Sequence, residues 1–205
     1  MIPALRPRTE LLSRALLDKI VEEGILLLER EGIFVENREA RSLFREAGEE
    51  VDEAAGRVRI RRALVEVSLA STPSRIFLYD RSGARAYEVG GDEVHFDPGS
   101  TAVRVLDHAS QRERKAETRD LVEHARVADA CGNIHFQSTA IVASDVPEAA
   151  ADAYRVLIGL QYSSKPIVTG TFRVQGFRPM REMLAAVRGG AEELSRKPLA
   201  IFDAC

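Results

Sequence analysis

From residue 118 onward, the chain alternates between amphipathic helical segments and short apolar runs rich in β-branched residues. This rhythm predicts helices over residues 119–130, 147–160 and 179–196, and strands over residues 134–139, 166–172 and 198–205. Successive strands that are joined through a helix pair in parallel, because only a long crossover returns the chain to the same end of a sheet. The pattern therefore predicts an α/β fold in which helices cover a parallel sheet.

The segment before this alternation divides into two further parts. Residues 1–74 have leucines at helical spacing and are predicted to be an N-terminal helical region, with helices over 9–31, 37–47 and 59–70. Thr9 and Asn37 are the predicted N-caps of the first two helices. The acidic run 46–53 is predicted to be a solvated face, and the basic run 59–62 to lie on the third helix.

Residues 75–205 are predicted to begin with a small antiparallel β element. Strands are expected over 75–80, 84–89 and 101–107, because tight-turn residues separate these alternating runs. Another short strand at 94–96 would be the first of four strands in the parallel part of the fold, and the runs 134–139, 166–172 and 198–205 would supply the other three.

Composition excludes several classes of function. The 205 residues have a net charge of −3 and no basic block, which argues against nucleic acid as a partner. No apolar run is long enough to span a bilayer, and no signal peptide is visible. Two distant cysteines, Cys131 and Cys205, fit a reducing cytoplasm and not a structural zinc site. No metal is expected to bind to this chain, since His and carboxylate residues do not cluster.

The candidate site follows from the predicted strand ends, because function in α/β folds lies at the carboxyl ends of the strands. These positions carry small hydroxylated residues with aromatic neighbours: Phe96, Gly99, Ser100, Thr101, Gln137, Ser138, Thr169, Thr171, Phe172 and Asp203. Phe136 and Phe202 lie beside the same ends. For each phenylalanine the alternative is ordinary core packing, and for Gly99 it is a simple turn. His95 and His135 are interpreted as structural, with a catalytic role as the alternative.

The last predicted strand, 198–205, is apolar and has no helix after it to cover it. A natural parallel sheet rarely leaves such an edge open. The missing half would come either from a longer version of the chain or from another copy, so self-association is one hypothesis. Cys205 would be either an exposed terminal thiol or a residue at a strand end that faces the site.

Residues 95–107, with the sequence HFDPGSTAVRVLD, carry a resemblance to a known family. The order of the later segments is also similar: TRDL at 118–121, VADA at 127–130, SDVP at 144–147 and GGAEEL at 189–194. Together these segments resemble the trimethylamine methyltransferase family. The resemblance implies an N-terminal helical extension followed by a TIM (β/α)8 barrel, of which this chain would be the first half, with four strands.

The resemblance also implies the chemistry. Members of the family transfer a methyl group from a tertiary or quaternary amine, such as trimethylamine or glycine betaine, to the cobalt of a corrinoid (cobalamin) that a partner protein carries. The founding members have pyrrolysine in the later half, so no catalytic residue is assigned here. Two alternatives stay open: a non-catalytic half-barrel that self-associates or binds a small ligand, and another TIM-barrel enzyme such as a phosphate-binding lyase.

Overall fold

The computed structural model describes residues 9–203. The chain divides between Pro73 and Ser74 into two compact units. The predicted thiol Cys205 lies outside the described residues. No helix among the described residues is both long and apolar enough to cross a membrane.

The first unit combines three helices with three short strands. In chain order these are α1 (Arg14–Arg30), β1 (Ile33–Phe34), α2 (Arg38–Glu46), β2 (Glu50–Asp52), β3 (Arg57–Arg59) and α3 (Arg62–Ser71). The Asn37 side chain caps α2 as predicted, accepting a hydrogen bond of 3.0 Å from the amide of Ala40. The cap of α1 is Ser13 and not Thr9, since the Ser13 hydroxyl accepts from the amide of Leu16.

Between the three predicted helices the structure adds an antiparallel sheet in the order β1-β3-β2, which the sequence did not predict. Its central strand buries Val58 completely. Part of the basic run therefore lies on a strand, where Arg59 pairs with Glu50 across to β2. Strands of two or three residues are too short to show alternation, which is why periodicity missed them.

The acidic run 46–53 is also more than a solvated face. Glu49 is only 5% exposed, and its carboxylate accepts a hydrogen bond of 2.7 Å from the amide of Arg61. Burial works to raise the pKa of Glu49, but hydrogen bonds and charge from Arg61 bring this pKa below its usual range. The run is thus partly a set of internal ion pairs, in which Glu53 joins Arg41 and Arg45.

The second unit begins with two antiparallel hairpins, β4 (Arg75–Tyr79) with β5 (Ala86–Gly90) and β6 (Arg104–Asp107) with β7 (Arg112–Lys115). The first was predicted. The second was not, because all four residues of β7 are charged. The strand predicted at 94–96 is wrong, since the chain is irregular from residue 93 to 101. Pro98 interrupts this segment and cannot donate to a ladder.

Helices and parallel strands alternate in the rest of the second unit, as the rhythm predicts. They are α4 (Thr118–Ala130), β8 (Gln137–Ser138), α5 (Glu148–Tyr162), β9 (Ile167–Thr169), α6 (Val174–Arg188), α7 (Ala191–Arg196) and β10 (Ala200–Phe202). The strands pair in parallel in the order β10-β9-β8. The described residues thus form a partial α/β fold with three parallel strands and no closed barrel.

Both faces of the parallel sheet are covered. On one face, Ile167 and Leu199 pack with a cluster of α5 and α6 side chains that includes Val156 and Met180. On the other face, Val168 and Ile201 pack against a cluster from the β4–β5 hairpin and the start of β8, made of Leu78, Tyr87 and Phe136. Alternate residues of each strand point to opposite faces of the sheet, so both faces are packed. The carboxyl ends of the strands are left open.

Candidate functional site

A cavity of about 610 Å³ lies at the carboxyl ends of β8, β9 and β10. Eight of the predicted site residues line it: Gly99, Ser100, Thr101, Ser138, Thr169, Thr171, Phe172 and Asp203. They come from the loop before β6 and from the residues at or just after the three strand ends. The sequence argument thus selected residues that the fold brings together, and their role in binding stays a prediction.

Two of the predicted residues lie outside this lining, Phe96 and Gln137. Gln137 is 1% exposed and its amide donates to the backbone carbonyl of Ser138 at 3.0 Å. It lies against Gly159 on the helix-covered face, because its side chain alternates with that of Ser138. The Phe96 ring is exposed, and its backbone carbonyl accepts from the amides of His135 and Phe136. Phe136 is a residue of the hairpin core.

The floor of the cavity is a set of hydroxyl groups. The side-chain oxygens of Thr139 and Thr169 are 3.1 Å apart and share a hydrogen bond. The Ser138 hydroxyl donates to the carbonyl of Gly99 and so ties the loop before β6 to the sheet. In that loop Gly99 has φ 89° and Thr101 has φ 64°. A positive φ is unusual for threonine, and strained residues of this kind cluster at functional sites.

One wall of the cavity depends on a buried ion pair of α5. Asp152 and Arg155 are 5% and 3% exposed, and the guanidinium Nη2 donates to Asp152 Oδ1 at 3.0 Å. Asp152 Oδ2 accepts from the Thr171 hydroxyl at 2.7 Å and from the Phe172 amide at 2.9 Å. Arg155 Nη1 donates to the carbonyl of Thr139 at 2.9 Å. The pair thus joins the segments that follow β8 and β9.

Prediction from strand ends missed Arg155 and Phe177, because both belong to helices. Arg155 and Phe177 line the cavity from α5 and α6. A signal for the first was available: Asp152 and Arg155 stand three residues apart in the otherwise mostly apolar helix 148–162. Residues three apart lie on the same side of a helix, so these two opposite charges can pair with each other. A charged pair in an otherwise mostly apolar helix indicates a specific role.

The charges around the cavity are of both signs. Asp97 and Asp203 line it together with Arg155. Burial lowers the pKa of the Arg155 guanidinium, and the hydrogen bond and charge of Asp152 work against that decrease. The guanidinium carbon also lies 4.7 Å from the centre of the Phe172 ring. The cationic guanidinium of Arg155 therefore already covers one face of the ring of Phe172, a predicted site residue.

His95 and His135 lie away from the cavity lining, with their ring centres 5.1 Å apart. His95 Nε2 is 2.6 Å from the carbonyl of Glu88, and His135 Nδ1 accepts from the Phe96 amide at 3.3 Å. Burial lowers the pKa of His135, and the nearby charge of His95 contributes. The two rings hold the irregular segment against the β4–β5 hairpin. Within residues 9–203, no group of three or more His, Cys, Asp and Glu side chains could hold a metal ion.

Residues 2–202 match the family model described as trimethylamine methyltransferase (MTTB). The trimethylamine methyltransferase MttB of Desulfitobacterium hafniense is 28% identical over 179 residues, which are 87% of this chain and 36% of that protein. The glycine betaine methyltransferase of another strain of this species is 27% identical over 198 residues, 96% of this chain and 41% of that protein. The trimethylamine methyltransferase MttB of Methanosarcina barkeri is 30% identical over 171 residues, 81% of this chain and 34% of that protein. The chain thus spans about two fifths or less of the length of these curated relatives.

Proposed function

Because the chain belongs to the trimethylamine methyltransferase family, we propose that it takes part in methyl transfer from a tertiary or quaternary amine to the cobalt of a corrinoid on a partner protein. Its relatives are named for trimethylamine and for glycine betaine. The observation that carries the proposal is the cavity at the carboxyl ends of the parallel strands, with its hydroxyl floor and its aromatic and acidic walls. Such a cavity suits a small methylated cation.

We also propose that the parallel sheet is part of a TIM (β/α)8 barrel and that this chain supplies the first part of it. Three features support this proposal. The strands β8, β9 and β10 are neighbours in their chain order, helices connect them, and the cavity lies at their carboxyl ends. In TIM barrels the active site is built from the loops at that end.

The proposed chemistry defines what the cavity must do. In the proposed reaction the C–N bond of the amine would break with its electron pair left on nitrogen, and the reduced corrinoid of the partner protein would supply the electron pair for the new bond to the methyl group. The protein must hold a cationic ammonium group in line for this transfer. Asp97 and Asp203 supply opposite charge at the cavity wall. The rings of Phe177 and Phe202, whose centres are 4.9 Å apart, supply aromatic faces.

The test uses the purified protein, reduced cobalamin and a panel of trimethylamine, glycine betaine and choline. Amine-dependent loss of the reduced cobalamin spectrum, with the demethylated amine seen by NMR, is the expected result. Phe177→Leu should lower the rate about 2- to 30-fold, because a cation over an aromatic face is worth about 0.5–2 kcal/mol. Phe77→Leu is the matched control, since Phe77 and Phe177 are 47% and 44% exposed and Phe77 lies on β4.

Two results would contradict the proposal. If no amine gives methyl transfer to free cobalamin or to a corrinoid protein, this chain does not have the proposed activity. An equal loss of rate in Phe177→Leu and Phe77→Leu would show that the activity does not depend on the aromatic wall of the cavity.

A second candidate function is a non-catalytic half-barrel that self-associates. The observation that favours it is the position of β10 at an edge of the described parallel sheet, with Ile201 and Phe202 partly exposed. An open strand edge can pair with another chain. Light scattering after size exclusion tests this. A defined dimer without amine-dependent methyl transfer would favour this candidate over the first.

A further inference from the structure

The guanidinium of Arg155 places a positive charge in the cavity, although a site for a methylated ammonium is expected to exclude other positive charges. Arg155 lines the cavity although it is 3% exposed. A guanidinium has five N–H donors in one plane and cannot lose its charge in a protein. A like charge beside a bound ammonium weakens binding, so the position of Arg155 needs a specific reason.

The donors of Arg155 are only partly used. One Nη1 hydrogen bond goes to the carbonyl of Thr139, and one Nη2 hydrogen bond goes to Asp152. Its Nε is buried and has no hydrogen-bond partner among the residues that the structure describes. Buried donors without an acceptor are costly, so native structures rarely leave them unfilled.

The acceptors that surround Arg155 are already engaged. Asp152 receives hydrogen bonds from Thr171 and from the Phe172 amide as well as from Arg155. The hydroxyls of Thr139 and Thr169 bond to each other, and Thr169 also donates to the carbonyl of Gly170. The ring of Phe172 covers one face of the guanidinium. An additional acceptor must therefore approach the edge of the guanidinium, where Nη1 and Nη2 each have a second N–H.

We propose that Arg155 is a specificity-determining residue that binds the anionic end of the amine substrate, so that the preferred ligand is a zwitterion with a carboxylate and a methylated ammonium. This inference rests on the proposed function. The carboxylate fills the open donors of Arg155, and the ammonium faces Asp97, Asp203 and the aromatic rings. Opposite charges at the two parts of one cavity bind a zwitterion better than a simple cation, since the cation gains nothing from Arg155.

Three probes of similar size separate the two charges. Glycine betaine has both the ammonium and the carboxylate, and choline has only the ammonium. 3,3-Dimethylbutyrate has only the carboxylate, because a carbon atom stands where glycine betaine has its nitrogen. Titration calorimetry on the purified protein should show tightest binding for glycine betaine. Its affinity should exceed that of choline by about 10- to 100-fold, the effect of hydrogen bonds to a charged group.

Variants then assign this preference to one side chain. Arg155→Gln should weaken glycine betaine and 3,3-dimethylbutyrate by about 10- to 100-fold and leave choline unchanged or tighter. Arg155→Lys should recover only part of the loss, because an ammonium lacks the planar fork. Arg126→Gln is the matched control, since Arg126 is exposed on α4 and stacks on the Tyr162 ring at 4.8 Å, outside the cavity lining.

The outcomes separate this inference from the proposed function. Choline that binds as tightly as glycine betaine, and is turned over, refutes the role of Arg155 and leaves the function standing. Binding of 3,3-dimethylbutyrate as tight as that of glycine betaine overturns the inference, because the ammonium then contributes nothing to the preference. Tight binding of glycine betaine without methyl transfer from it contradicts only the function. Absence of binding by all three probes overturns the inference, and methyl transfer from trimethylamine then decides the function separately. If Arg155→Gln fails to fold, the order of affinities in the unmodified protein decides.

Discussion

Replacing Asp152 by asparagine tests the buried ion pair on which one wall of the cavity depends. The substitution keeps the shape of the side chain and removes its charge. Arg155 is 3% exposed, so it cannot turn to solvent for compensation. Breaking a buried pair by changing one partner costs about 3–5 kcal/mol, because the other charge stays buried without compensation.

The hydrogen bonds of Asp152 indicate where this cost arises. Asp152 accepts from three donors: Arg155 Nη2 at 3.0 Å, the Thr171 hydroxyl at 2.7 Å and the Phe172 amide at 2.9 Å. An asparagine has one carbonyl oxygen, so it can face either Arg155 or the pair from the loop after β9. Its NH2 group then meets donors on the other side. We expect the free energy of unfolding to fall by about 3–4 kcal/mol, close to the lower end of the range for buried pairs.

Urea unfolding followed by far-UV circular dichroism measures this change, since the chain has no tryptophan. The control is Glu182→Gln, the same carboxylate-to-amide change in an exposed pair with Arg178, whose side chains are 63% and 87% exposed. The control should cost less than about 0.5 kcal/mol. A loss below about 1 kcal/mol for Asp152→Asn would refute the reasoning. So would a double variant Asp152→Asn/Arg155→Met that shows simple additivity.

Three further predictions concern stability. Gly176→Ala should destabilise the protein by about 1–3 kcal/mol in urea unfolding, because the added Cβ would lie 2.5 Å from Thr171 Oγ1 and 2.9 Å from Asp152 Oδ2. Gly24→Ala should instead stabilise α1 by about 0.5–1 kcal/mol, since nothing lies within 4 Å of the new Cβ. Burial gives His135 a pKa below 6.5, so below pH 6.5 the unfolded chain binds more protons than the folded one. Stability should therefore fall between pH 7 and pH 5, and His135→Phe should reduce that fall; an unchanged pH profile in this variant would contradict the assignment.

The parallel part of the fold was predictable from the sequence because its signals are long. Helix α5 has fifteen residues with apolar periodicity, and the strands on either side are apolar and bounded by breakers. The first unit was harder, since β1, β2 and β3 are two or three residues long. Nothing in Arg57–Arg59 distinguishes a strand from the first turn of a helix, and only the pairing partners Glu50 and Ile33 decide it.

The candidate site was predictable to the extent that it follows strand ends. Ser138 and Thr169 line the cavity because β8 and β9 end there. Gln137 lies outside the lining because a strand turns alternate residues to opposite faces, and a one-residue difference places its side chain against α5. Phe96 lies outside the lining because residues 93–101, which include Pro98, do not form the strand that the prediction assumed.

The proposed role of Arg155 connects binding to stability, and this connection determines which residues can change specificity with little loss of stability. Its helix is fixed by Val156 and Leu160, which pack with Ile167 in the core under the sheet. The guanidinium is thus held in place by core packing as well as by Asp152, and any substitution there costs stability together with selectivity. Phe177 is 44% exposed at the same cavity, so its ring can change with little effect on folding. We therefore expect variants at Phe177 to alter the fit of the ammonium substituents while the free energy of unfolding changes by less than about 1 kcal/mol, and variants at Arg155 to alter both properties together.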